Sequence, residues 1–90
     1  MVREKQKPAV EKEELVSSLH ELILFNDEIN SFEYVIETLV EVCEHETIQA
    51  EQCTLVAHYT GKCPVKSGLF EELKPKRDEM TRRGLTVSID

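Results

Sequence analysis

The 90-residue chain has no tryptophan, three glycines and three prolines. That scarcity of glycine and proline excludes a collagenous or low-complexity chain. There is no glycine-rich phosphate loop and no serine-centred nucleophile elbow, so the commonest nucleotide-binding and hydrolase signatures are missing. No apolar run approaches the roughly 20 residues of a membrane span. The charged N-terminal stretch lacks the apolar core of an export signal. There are three cysteines, Cys43, Cys53 and Cys63, and no pair has CxxC spacing. An odd number without an export signal reads as reduced thiols in a cytoplasm. Cys43, His45, Cys53 and His58 could be imagined as a zinc site, but their gaps match no common pattern. No metal or other cofactor is expected.

Positive charge is missing from the middle of the chain. Between Lys12 and Lys62 there is no lysine or arginine, and the same interval carries eleven acids. The net charge is -7, and the basic residues gather from Lys62 to Arg83. A nucleic-acid binder needs a basic face at its readout element. The acidic half instead favours a cation such as an ammonium group. Neither nucleic acid nor membrane is expected as a partner.

What is present is a small globular composition, 40% hydrophobic and 32% charged. Ninety residues make one domain, burying roughly 60–65% of the unfolded surface. Residues 1–18 read as a flexible N-terminal extension and 19–90 as the core domain. Charges of both signs, Pro8 and few large apolar residues give the extension no period.

The central stretch runs from Leu22 to Val35. Leu22-Ile23-Leu24-Phe25 is a short apolar run, read as a strand buried on both faces within residues 21–26. Asn26, Asp27 and Glu28 follow, at a corner before a helix. Asn30 is the expected N-cap, with Glu33 at the third position and Ser31 as an alternative cap. In the helix of about Ser31 to Glu44, Phe32, Val35, Ile36, Leu39, Val42 and Cys43 step by three and four along one face. Thr47 is the expected cap of a second helix, which Gly61 ends. Cys63–Lys66 reads as a short strand that Pro64 confines to an edge or to its own start. A third helix follows Ser67-Gly68, is kinked or restarted by Pro75, and stops at Gly84. Leu85–Ile89 alternates like a strand with one buried face. The expected fold is α+β: a three-stranded antiparallel sheet packed against three helices in the order βααβαβ.

Two blocks of this sequence resemble the ClpS adaptor family. They are Asn26-Asp27-Glu28 with Phe32-Glu33-Tyr34-Val35-Ile36, and Ala57-His58-Tyr59-x-Gly61-Lys62. Asn26 and His58 lie 32 positions apart, the family's distance. The resemblance covers about residues 20 to 89. It implies an adaptor and not an enzyme. Such adaptors bind proteins whose first residue is Leu, Phe, Tyr or Trp. They deliver them to a ClpA- or ClpC-type AAA+ unfoldase for proteolysis by ClpP. By position the resemblance makes Asn26, Glu28 and His58 the holders of the substrate's α-amino group, with Asp27 in the same polar triplet. It makes Leu24, Phe32, Val35, Thr54 and Ala57 the walls of a hydrophobic pocket. The family usually has aspartate where Glu28 stands and methionine where Phe32 and Thr54 stand. The alternative is a protein-binding module like the C-terminal domain of the ribosomal stalk protein, binding through the basic third helix.

These residue types suit the task. An α-ammonium offers three donors and a charge. A carboxylate meets the charge, an amide carbonyl accepts a second bond, and a neutral imidazole accepts a third, directly or through water.

Overall fold

The computed structural model describes residues 18–90. The expected N-terminal extension lies outside the described residues apart from Ser18. The elements are β1 (His20–Phe25), α1 (Phe32–Cys43), α2 (Thr47–Thr60), β2 (Lys62–Gly68), α3 (Phe70–Arg82) and β3 (Val87–Ile89). Three strands form one antiparallel sheet in the order β2-β1-β3. The α+β class and the βααβαβ order are those expected from the sequence.

β1 holds the middle of the sheet because its apolar run can be covered on both faces. Leu22 and Leu24 are 0% and 2% exposed, and Ile23, on the opposite face, is 4% exposed. Leu22 and Leu24 share a core with Val35, Leu39 and Cys43 of α1, Ala50 and Ala57 of α2, and Leu73 and Met80 of α3. All three helices therefore pack on one side of the sheet. α2 buries only small side chains, Ala50, Thr54 and Ala57. Its large apolar residues Ile48, Leu55, Val56 and Tyr59 are exposed. Small residues on the inner side let this helix lie close to its neighbours.

β2 is an edge strand, which is why it tolerates Pro64 within it. Leu22 pairs with Lys66 but Ile23 pairs with Pro64, so Val65 is an extra residue in the ladder. The Val65 carbonyl accepts a hydrogen bond from His45 Nε2 at 2.6 Å. His45 is buried, so this bond pins the α1–α2 turn to the sheet edge.

The helix ends depart from the sequence reading in three places. Ser31, not Asn30, caps α1: its hydroxyl accepts from the Tyr34 N–H at 3.1 Å. Asn30 is drawn away by two other partners described below. Thr47 is already helical, and Glu46 occupies the cap position of α2 without a side-chain bond. α3 begins at Phe70 and runs through Pro75 without restarting. Pro75 is exposed, and so is Glu71, whose carbonyl loses its helical donor there and can turn to water. At the start of α3 the Leu69 N–H donates to Glu72 Oε1 at 3.0 Å.

The C-terminal signals read as expected. Gly61 ends α2 with φ 100, and its N–H returns to the Ala57 carbonyl. Gly84 has φ 92; its N–H bonds to Thr81 O and the Leu85 N–H to Met80 O, the paired closure that a left-handed glycine allows. β3 is shorter than the alternating stretch suggests. Leu85 is instead buried at that closure, although the Thr86 carbonyl already accepts from the Phe25 N–H.

Candidate binding site

The end of β1, the start of α1 and the last turns of α2 meet around one small cavity of about 20 Å³. Its lining brings together Leu24, Phe25, Asn26, Asp27, Asn30, Phe32, Val35, Thr54, Ala57 and His58. Asn26, Asp27 and His58, with all five apolar-wall residues named above, thus surround one space. Glu28 does not line it and sits exposed on the outer side of the corner. Phe25 and Asn30 are lining residues that sequence reasoning did not single out. Phe25 closes the apolar run, which is the available signal; Asn30 has the sequence signature of a helix cap.

Backbone bonds bring the distant parts together. The Asn26 N–H donates to the Gly61 carbonyl at 2.9 Å, tying the end of β1 to the end of α2. The left-handed turn at Gly61 thus fixes how His58 approaches the corner. The His58 ring meets the Phe32 ring edge-on, with centroids 5.1 Å apart and planes at 74°. On its other side it meets Tyr59 at 4.9 Å. Two aromatic neighbours hold the imidazole in place beside the cavity.

Asp27 builds the corner. Its Oδ1 accepts from the Ile29 N–H at 3.0 Å and the Asn30 N–H at 2.8 Å, and its Oδ2 from Asn30 Nδ2 at 3.1 Å. Burial would raise the Asp27 carboxyl, but these bonds outweigh it and hold it below the ordinary value of 3.8. Asn30 Nδ2 also donates to the Gly84 carbonyl at 3.0 Å. Tyr34 Oη donates to the Arg83 carbonyl at 2.7 Å. The corner is therefore anchored to the turn between α3 and β3.

The depressed Asp27 carboxyl gives a pH signature. A carboxylate whose folded pKa is lowered contributes stability above its unfolded value and loses it as pH falls through the folded value. Asp27→Asn is expected to lower the melting temperature at pH 7 and to lower it less as pH falls below 3.8. Thermal unfolding of both proteins at pH 7 and pH 3 checks this. An equal gap at both would remove the charge from the account.

The cavity walls are apolar in effect. Val35 and Ala57 are buried. Thr54 is 4% exposed, and its hydroxyl donates to the Ala50 carbonyl at 2.8 Å, leaving its methyl as the part available to the cavity. Phe32 is 40% exposed. The arrangement offers amide, imidazole and carboxylate groups beside a narrow apolar recess. No hydroxyl or thiol nucleophile accompanies His58 among the lining residues except the engaged Thr54.

The family model for the ATP-dependent Clp protease adaptor protein ClpS matches residues 16–88. The chain belongs to the ClpS family. Its members are adaptors of the Clp protease, a non-catalytic class. The fold is also that of a solved structure, Agrobacterium tumefaciens ClpS2 bound to L-phenylalaninamide. The superposition has a TM-score of 0.70 at 20% sequence identity, covering 81% of this chain and 95% of that one. A comparison with curated proteins gives no match. No helix among the described residues is long and apolar enough to cross a membrane.

Proposed function

We propose that this ClpS-family chain captures proteins by their first residue, reading a free α-amino group together with a bulky hydrophobic side chain, Leu, Phe, Tyr or Trp. It then hands them to a ClpA- or ClpC-type AAA+ unfoldase for ClpP, in the cytoplasm. One observation carries the reading: Asn26 and His58, distant in sequence, flank the same apolar recess. Asn26 and His58 accept from the ammonium at the cavity, and Glu28 supplies the opposite charge from the outer side of the corner. Leu24, Val35, Thr54 and Ala57 receive the side chain. Phe32 is the wall that gives way, because it is half-exposed and the recess has room for about one water. Phenylalaninamide, the ligand of the Agrobacterium protein, has a free α-amino group and an aromatic side chain. That chemistry supports the reading for a chain of the same fold.

The stalk-like alternative needs a free basic third helix. In α3 and at its C-cap Arg83, Lys74 and Arg77 pair with Asp78, Arg82 and Arg83 with Glu79, and Lys76 with Glu44. Arg83 also reaches Glu41 at 2.6 Å. The cations of this helix are thus largely answered within the molecule, which favours the terminus-binding reading.

Burying a large apolar side chain contributes about 1.5–3 kcal/mol over leaving it exposed. A Leu- or Phe-initiated peptide is therefore expected to bind at least about tenfold more tightly than the same peptide beginning with Ala. Fluorescence anisotropy with labelled peptides measures it. Equal affinities across Leu, Phe and Ala would defeat the proposal.

A further inference from the structure

Two thiols outside the recess converge on one point. Cys53 of α2 has its Sγ 4.0 Å from the Pro64 carbonyl oxygen, and Cys63 of β2 has its Sγ 3.3 Å from the same atom. Both sulfurs therefore sit beside the same backbone oxygen, one reaching it from the helix and the other from the strand. Their access differs. Cys53 is half-buried, Cys63 is 7% exposed, and the third thiol, Cys43, is fully buried. Cys43 faces Met80 Sδ at 3.7 Å.

We propose that Cys53 and Cys63 are a modification site: under a peroxide-class oxidant they close a reversible disulfide between α2 and β2. Cys53 reacts first, being the accessible thiol. Its thiolate sulfur attacks the peroxide; an S–O bond forms, the O–O bond breaks and hydroxide leaves, giving a sulfenic acid. Cys63 then attacks the Cys53 sulfur; the S–S bond forms, the S–O bond breaks and water leaves. Two thiols lose two electrons and two protons, and one hydrogen peroxide becomes two waters. Burial and the neighbouring Cys53 push the Cys63 thiol up to about 11, so little of it is thiolate at neutral pH, which fits its role as the second thiol to react. The bond would fasten α2, which supplies one wall of the recess, to the strand that pairs with β1, which supplies another. Cys53 precedes the wall residue Thr54, and Cys63 pairs in register with the wall residue Leu24. The proposal does not depend on what the recess binds.

The test uses the full chain, treated with hydrogen peroxide and then with N-ethylmaleimide under denaturing conditions. Cleavage after glutamate and lysine separates all three cysteines, because Glu44, Glu46 and Glu51 lie between Cys43 and Cys53, and Lys62 precedes Cys63. The expected result is a Cys53 peptide linked to a Cys63 peptide, with Cys43 fully alkylated. Dithiothreitol should restore both thiols. In Cys53→Ala, Cys63 should remain alkylatable after the same treatment. Two results would overturn the site: Cys53 carried to sulfinic or sulfonic acid while Cys63 stays a free thiol, or a Cys53 bond to a second chain.

Discussion

Acetylating the first residue of a Leu-initiated peptide is expected to lower its affinity by roughly 100-fold or more. The modification removes the positive charge and leaves one donor of the original three. Bonds to a charged group contribute about 1.5–3 kcal/mol each, so losing two accounts for that factor. Apolar contacts of the first side chain are untouched, which separates this loss from the effect of residue size. The acceptors to lose are the Asn26 carbonyl oxygen and one His58 ring nitrogen. His58→Ala and Asn26→Ala are each expected to weaken the free peptide by about tenfold or more. Neither should weaken the acetylated peptide further. Neither residue belongs to the buried core, so the domain should remain folded, as circular dichroism would show. An acetylated peptide bound as tightly as the free one would sink the amine-reading site. A His58→Ala protein with full affinity would instead move the site elsewhere.

Replacing Leu39 by alanine is expected to cost about 2–5 kcal/mol. Leu39 is 0% exposed and belongs to the core that joins β1 to all three helices. A domain of this size has roughly 5–15 kcal/mol in total, so the loss takes a large share of it. The midpoint in urea should fall accordingly, with a drop in melting temperature of roughly 10 °C or more. Ile48→Ala, on the 69% exposed outer side of α2, is the control and should change stability by under about 0.5 kcal/mol. A Leu39→Ala loss below about 1 kcal/mol would mean that the core is not organised around this residue.

The fold was legible where a residue's local preference and its tertiary role agree. Leu22-Ile23-Leu24-Phe25 has the composition of a buried strand, and burial on both faces follows from its place in the middle of the sheet. Gly61 and Gly84 mark helix ends because their positive φ is costly for other residues. Expectation failed at Asn30, which has the chemistry of a cap. Its amide is taken by Asp27 and by the Gly84 carbonyl, 54 residues away, and Ser31 takes the cap instead. Periodicity could not tell that α2 would turn Ala50, Thr54 and Ala57 inward and leave Leu55, Val56 and Tyr59 exposed. The choice depends on how closely the helix must approach its neighbours.

The candidate site divides the same way. Spacing and residue type singled out Asn26, His58 and the apolar walls. Nothing local distinguishes Asp27 from Glu28, since both are acids in an exposed-looking turn. Only the folded corner engages Asp27 with Ile29 and Asn30 and leaves Glu28 outside the lining.

By itself the sequence determined the element order, the strand at the centre, the glycine stops and the membership of the family, because each depends on side-chain type at short range or on paired motifs. Tertiary structure alone decided which polar groups face the recess, which helix face is buried and which two thiols share one carbonyl oxygen. Those outcomes are set by contacts between residues far apart in the chain, and the energy of such contacts exists only once the helices have closed on the sheet.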